Sequence, residues 1–224
     1  MTGWRLLLLG AAVLAGASYL PASWLLPDEP LVIVWKGAGV ALLAGWAAVQ
    51  ARSVDGWLLA AVLALGAAGD VLLETAGLTT GALAFLAGHL VAMVLYARNL
   101  RPLRWRADAP IAIGRLIVIP SLAFVFPADR ATAPGIALYA TGLGAMAALA
   151  WLSRFPRGRV SLGALLFAVS DLLIFARLGP LRQSIIPDLL VWPLYFGGQA
   201  LIAVGVVGAL QQAVGRNRLM PLRR

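Results

Sequence analysis

Hydrophobic residues along this chain form eight long runs that short polar segments separate. The runs cover residues 4–20, 31–50, 56–75, 80–98, 110–127, 133–152, 159–177 and 187–212. Each is long enough for an α-helix that crosses a bilayer. The fifth is the weakest because Arg115 and Pro120 interrupt it. The pattern predicts an all-α integral membrane bundle of eight transmembrane helices, which forms a single domain over residues 1–224.

The first run has two interpretations. Arg5 precedes an apolar stretch with small residues at positions 15–18, which is the pattern of a secretory signal peptide. The second run follows after a very short segment around Pro27–Pro30. We therefore interpret the first run as a retained membrane span.

Composition supports the membrane assignment and limits the chemistry. The chain is 62% hydrophobic and only 12% charged, whereas soluble domains carry roughly 25% charged residues. Cysteine is absent and His89 is the single histidine, so disulfides, thiol chemistry and His-rich metal clusters are excluded. We expect neither a metal nor a cofactor.

The formal charge of +9 has a membrane explanation. With eight spans, most arginines fall on the side of both termini: Arg5, Arg52, Arg98, Arg101, Arg104, Arg106, Arg154, Arg157, Arg159, Arg216, Arg218, Arg223 and Arg224. The positive-inside rule then places both termini in the cytoplasm, in a bacterial inner membrane, and we expect no nucleic-acid partner. The tryptophans near span ends are expected to form interfacial belts: Trp4, Trp35, Trp57, Trp105, Trp151 and Trp192.

Two aspartates stand inside apolar runs in nearly matching phrases. Asp70 lies in the phrase Gly69-Asp70-Val71-Leu72, and Asp171 in Ser170-Asp171-Leu172-Leu173, toward the ends of the third and seventh runs. A carboxylate at membrane depth is costly and usually marks a functional site. The spacing also raises the alternative of two diverged four-helix halves, although Lys36 and His89 have no counterparts in the second half.

Other polar side chains share this depth, in the half of the bundle away from the termini or at its midplane. They are Lys36, Glu74, His89, Tyr195 and Gln199. A pocket between the second, third, fourth, seventh and eighth helices would gather them with both aspartates. Each also has a purely structural interpretation: a solvated interfacial glutamate, a snorkelling lysine, a histidine that joins two helices, or an interfacial tyrosine.

These residues resemble the YhhN-like lysoplasmalogenase family of polytopic membrane proteins. The resemblance runs from the second span to the eighth, and its most specific pieces are the segments 69–73, 163–173 and 195–202. Lys36 and His89 stand where the family tends to carry lysine and histidine. The chain departs from the family at Gly37, where proline is common, and at Ala92, where tyrosine is common.

The resemblance implies a hydrolase that cleaves the vinyl-ether bond of lysoplasmalogens. Its partners would be a lysophospholipid substrate and membrane lipid. Such chemistry needs an acid, a nearby negative charge and a positioned water, and two carboxylates can divide this work, as they do in glycosidases. We expect Asp70 and Asp171 to be catalytic, with supporting roles for Lys36, Glu74, His89, Ser170, Tyr195 and Gln199. The sequence leaves open which aspartate gives the proton.

Three other classes compete with this hypothesis. Intramembrane carboxylates also build the proton relays of transporters and proton-coupled carriers. A zinc-dependent lipid amidase would need several histidines, and the chain has one. In a non-catalytic assembly factor, changes at Asp70 and Asp171 would harm folding rather than chemistry.

Overall fold

The computed structural model describes residues 3–26 and 30–219, with side chains up to residue 215. Every long element in this part of the chain is helical. The helices are α1 (Gly3–Leu25), α2 (Pro30–Ala48), α3 (Val54–Thr75), α4 (Leu78–Ala97), α5 (Trp105–Val125), α6 (Ala133–Leu152), α7 (Leu162–Arg177) and α8 (Ile186–Leu219). A single π-helical turn, Arg157–Ser161, leads into α7. Each helix, α7 taken with that turn, is long and apolar enough to cross a membrane, so the predicted eight-helix fold is confirmed.

Successive helices run in opposite directions and create two different ends. One end carries the start of α1 and the α2–α3, α4–α5 and α6–α7 connections, and we call it the basic end because the predicted arginine groups lie there. The other carries the ends of α3 and α7 and the start of α8, and we call it the site end. The predicted break at residues 27–29 and the side chains of Arg216, Arg218, Arg223 and Arg224 lie outside the described residues.

The helix α5 continues through the residues that weaken its sequence pattern. Arg115 donates to the carbonyl of Ala147 and to Ser161 Oγ, both at 2.8 Å, and its guanidinium lies over the Trp151 ring. At the start of α5, the fully buried Asp108 accepts the backbone N–H of Arg104 and pairs with Arg101, Arg104 and Arg157. These contacts give the Arg115 guanidinium and the Asp108 carboxylate partners inside the bundle, as a low-dielectric environment requires.

The helix α1 packs into the bundle through a glycine. Gly16 faces Gly39 of α2 and the ring of Phe196 on α8, and a Cβ at Gly16 would collide with that ring. Small residues allow membrane helices to approach this closely. The carbonyl of Gly16 accepts the indole N–H of Trp192 at 2.6 Å. The prediction that Trp192 belongs to an interfacial belt is therefore wrong, because its ring is buried against α1.

Candidate active site

Asp70 is buried between α3 and α8. The residue is 3% exposed, and its Oδ2 accepts a hydrogen bond from the hydroxyl of Tyr195 at 2.8 Å. The face of α3 beside it is lined by glycines, because a Cβ at Gly66 would lie 2.9 Å from Gln199 Nε2 and one at Gly69 would lie 2.9 Å from the Phe85 ring. Because these two positions of α3 are glycines, Gln199 of α8 and Phe85 of α4 can pack close to the helix beside the Asp70 carboxylate.

Asp171 lies at the centre of a second group, between α7, α6 and α4. Its Oδ2 accepts the Tyr139 hydroxyl at 2.7 Å, and His89 Nε2 lies 3.1 Å from the same hydroxyl oxygen. A tyrosine hydroxyl has one proton. When Tyr139 donates that proton to Asp171, it must accept one from His89. The three side chains therefore form a continuous hydrogen-bonded chain along which a proton can pass.

Aromatic rings separate the two aspartate–tyrosine pairs. The Phe167 ring lies 5.1 Å from His89 and 5.2 Å from Tyr195, and Phe85 packs edge-on against both Phe167 and Tyr195. Asp70 and Asp171 are both buried, with 3% and 7% of their surfaces exposed. The site is thus a pair of carboxyl groups in an apolar, aromatic environment, where electrostatic effects are strong.

A small cavity of about 20 Å³ lies beside these rings, and Gly66, His89, Phe167 and Gln199 contribute to its wall. The side-chain oxygen Oε1 of Gln199 is buried there without a hydrogen-bond partner. This volume holds about one water-sized molecule. Gln199 is therefore available as an acceptor for a water or a substrate hydroxyl that lies between α3, α4 and α8.

A wider cavity of about 380 Å³ opens at the site end, and we call it the mouth. Its lining includes Tyr19, Trp24, Lys36, Arg177, Asp188 and Trp192. Lys36 Nζ lies 2.5 Å from Glu74 Oε1, and Arg177 pairs with Asp188. The Trp192 ring lies 5.5 Å from Tyr195, so one aromatic side chain separates the mouth from the hydrogen bond to Asp70.

The structure places the residues predicted for one pocket in three neighbouring groups, and neither of the two cavities beside them is lined by all of these residues. Asp70, Tyr195 and Gln199 meet at α3 and α8, His89 reaches Asp171 through Tyr139, and the Lys36–Glu74 pair lies at the mouth. Ser170 lies apart from them, because its hydroxyl donates to the carbonyl of Val191 at 2.9 Å and joins α7 to α8.

Sequence reasoning missed Tyr139 and left α6 out of the predicted pocket. Tyr139 is the one tyrosine in the sixth apolar run, which also contains Thr141, so its neutral hydroxyl was a weak signal. Among residues 3–26 and 30–219, no three His, Asp or Glu side chains are grouped as metal ligands would be.

Eight apolar helices that enclose two buried aspartates define a polytopic integral membrane protein with a polar site inside its bundle. The chain belongs to the YhhN family, since a model of that family matches residues 31–206. This range includes both aspartates and all of their hydrogen-bonding partners. No curated protein and no solved structure matches the chain in a significant way.

Proposed function

We propose that this protein is a membrane-embedded hydrolase that cleaves the vinyl-ether bond of lysoplasmalogens. The products would be a fatty aldehyde and glycerophosphoethanolamine or glycerophosphocholine. The observation that carries the proposal is the pair of buried carboxyl groups, each of which accepts a hydrogen bond from a tyrosine hydroxyl. Membership of the YhhN family supports it, because the resemblance described above associates that family with this reaction.

The reaction begins with a proton transfer from a carboxylic acid to the β-carbon of the double bond. The double bond then becomes an oxocarbenium ion, which a nearby carboxylate stabilises, as in glycoside hydrolysis. Water adds to the cationic carbon and loses a proton, which gives a hemiacetal. The hemiacetal collapses to the aldehyde and the glycerol hydroxyl, and the acid recovers its proton. The net reaction consumes one water.

We assign the acid to Asp171 and the stabilising anion to Asp70. Asp171 ends the chain Asp171–Tyr139–His89, which can resupply a proton after each turnover. Asp70 lies on the side of the mouth, because its partner Tyr195 packs against Trp192, which lines that cavity together with Lys36. Enzymes keep one of two neighbouring carboxyl groups protonated and the other ionised by placing them in different surroundings.

The charges of the mouth match a zwitterionic headgroup. Lys36 and Arg177 can contact a phosphate, while Glu74 and Asp188 can contact an ammonium group. The aromatic rings of Tyr19 and Trp192 can add cation–π contacts to a choline or ethanolamine nitrogen. With the headgroup in the mouth, the glycerol would extend past Trp192 toward Asp70, and the alkenyl chain would lie among the apolar helices.

The orientation of the chain is part of the proposal. The basic end would face the cytoplasm of a bacterial inner membrane and the mouth would face the opposite side, because cationic loops are retained inside. Since the chain contains no cysteine, a single cysteine at exposed Asp129 and another at exposed Arg52 can be labelled without background. A membrane-impermeant thiol reagent added to intact cells should label the first and not the second. The reverse labelling would contradict the orientation.

Product analysis tests the proposed reaction. Purified protein is incubated with a lysoplasmalogen and, in parallel, with the ester lysophospholipid of the same headgroup and chain length. We expect fatty aldehyde from the first substrate and no fatty acid from the second. Fatty acid release without aldehyde would replace the proposed reaction with ester hydrolysis. Proteoliposomes that move a proton or solute without cleaving lipid would favour a carrier instead.

A further inference from the structure

A second large cavity lies at the basic end, away from both aspartates. Its volume is about 460 Å³, and it is bounded by the start of α1, the α2–α3 connection, the α6–α7 connection and α8. Three arginines from distant parts of the chain line it: Arg5, Arg52 and Arg154. The fold thus gathers three arginines from distant parts of the chain in the wall of a single cavity.

The positive charge of this cavity is not balanced within it. Among the described residues, Asp55 is the one carboxylate in its wall, and it is already bound by Arg98 at 2.8 Å and by Asn99 Nδ2 at 3.0 Å. Among the described side chains, none of the three lining arginines lies within ion-pair distance of a carboxylate. The Nε of Arg5 is also buried without a hydrogen-bond partner.

Neutral groups give this cavity a fixed wall. Gln211 Nε2 donates to Gln50 Oε1 at 2.7 Å, and Gln50 Nε2 donates to the Trp46 carbonyl at 3.1 Å, which fixes the amide pair between α2 and α8. The first turn of α3, at Ser53–Gly56, also faces the cavity. A helix N-terminus adds partial positive charge to the three guanidinium groups.

We propose that the cavity formed by Arg5, Arg52 and Arg154 is a second binding site, specific for a phosphate-bearing anion. Guanidinium groups match the oxygens of a phosphate and can bind them in pairs. Two sources share this chemistry: a soluble phosphate or phosphate monoester, and the headgroup of an anionic phospholipid. The volume lies in the range of small-molecule sites, so a phosphorylated headgroup fits as well as phosphate itself. The proposal does not depend on the reaction at Asp70 and Asp171.

Two measurements on the purified full chain distinguish the sources. In non-ionic detergent, the thermal unfolding midpoint is followed while sodium phosphate replaces sodium chloride at constant ionic strength. In nanodiscs that contain equal amounts of phosphatidylglycerol and phosphatidylcholine, the lipid that stays bound after detergent extraction is quantified. Each is repeated with Arg52→Gln and Arg154→Gln. The matched control is Arg106→Gln, which removes an exposed arginine from the same end but outside the cavity.

We expect phosphate to raise the midpoint of the wild type, or phosphatidylglycerol to be retained in preference to phosphatidylcholine. In either case Arg52→Gln and Arg154→Gln should weaken the interaction roughly tenfold, the size of one lost charge-assisted hydrogen bond, while Arg106→Gln should not. If phosphate raises the unfolding midpoint but phosphatidylglycerol is not retained, the ligand is a soluble anion. If phosphatidylglycerol is retained but phosphate does not raise the midpoint, the ligand is a lipid headgroup. If the wild type shows neither effect, or if Arg106→Gln weakens binding as much as the cavity variants, the proposal is wrong.

Discussion

Replacing Tyr139 with phenylalanine separates the chemistry of Asp171 from its packing. The hydroxyl makes two hydrogen bonds, to Asp171 at 2.7 Å and to His89 at 3.1 Å. The phenyl ring keeps the edge contacts with His89 and Phe175, whose centroids lie 5.5 Å and 5.9 Å away. Tyr139→Phe therefore removes the link between the histidine and the aspartate and leaves the aromatic packing in place.

The contacts of the Tyr139 hydroxyl set the expected change in the free energy of unfolding and in kcat. A hydrogen bond to a charged group contributes about 1.5–3 kcal/mol in soluble proteins, while side-chain bonds inside membrane proteins average about 0.6 kcal/mol. We expect the free energy of unfolding to fall by about 1–3 kcal/mol. General acid–base catalysis contributes about 10²–10⁴ in rate. Because Asp171 remains but loses its proton relay, kcat should fall by about 10–100-fold, while KM should change little.

The assay is aldehyde release as a function of pH, combined with unfolding of the same preparation. Thr141→Val is the matched control, because it removes a hydroxyl from the exposed face of the same helix, where Thr141 bonds only to the Ala137 carbonyl. The control should keep wild-type turnover. If Tyr139→Phe folds and keeps the wild-type kcat and pH–rate profile, Tyr139 and His89 do not relay protons.

Three other substitutions test separate parts of the site. Gly66→Ala places a methyl group 2.9 Å from Gln199 Nε2 and 3.3 Å from the Tyr195 hydroxyl and should lower turnover severalfold in a protein that still elutes as a single species; unchanged kinetics would mean that the close packing of these two side chains against α3 has no role in the reaction. Lys36→Gln should raise KM about tenfold and change kcat little, because a headgroup contact contributes equally to ground state and transition state; an unchanged KM would remove Lys36 from the headgroup site. Ser170→Ala loses only the bond to the Val191 carbonyl and should destabilise the fold by about 1 kcal/mol without affecting kcat; a large fall in kcat at unchanged stability would show that its structural assignment is wrong.

Hydrophobic runs alone were sufficient to predict the eight helices. The helix α5 begins at Trp105, five residues before the predicted span, because the buried Asp108 caps it and is matched by arginines from other connections. Pairing of this kind involves residues far apart in the chain, so a hydrophobicity pattern does not detect it. The π-helical turn at Arg157–Ser161 was not predicted either.

Site residues were predictable when their charge is costly in a membrane. Asp70 and Asp171 stand out for this reason, whereas the neutral Tyr139 does not. Nearly every side chain around α6 is apolar, so its sequence does not define which face points inward, and only the fold directs Tyr139 toward Asp171. Trp192 was misassigned for a related reason, because its burial depends on a backbone carbonyl that Gly16 exposes on a helix at the other end of the chain.

The central claim is that Asp70 and Asp171 perform acid-catalysed cleavage of a vinyl ether. Its most direct measurement is aldehyde release by Asp70→Asn and Asp171→Asn, with substrate binding measured on the same preparations. Asp129→Asn, at an exposed loop position, is the matched control. We predict that both site variants bind lysoplasmalogen while turnover falls by at least about a hundredfold, and that the control remains active. Turnover near the wild-type rate in either folded site variant would contradict the two-carboxylate mechanism.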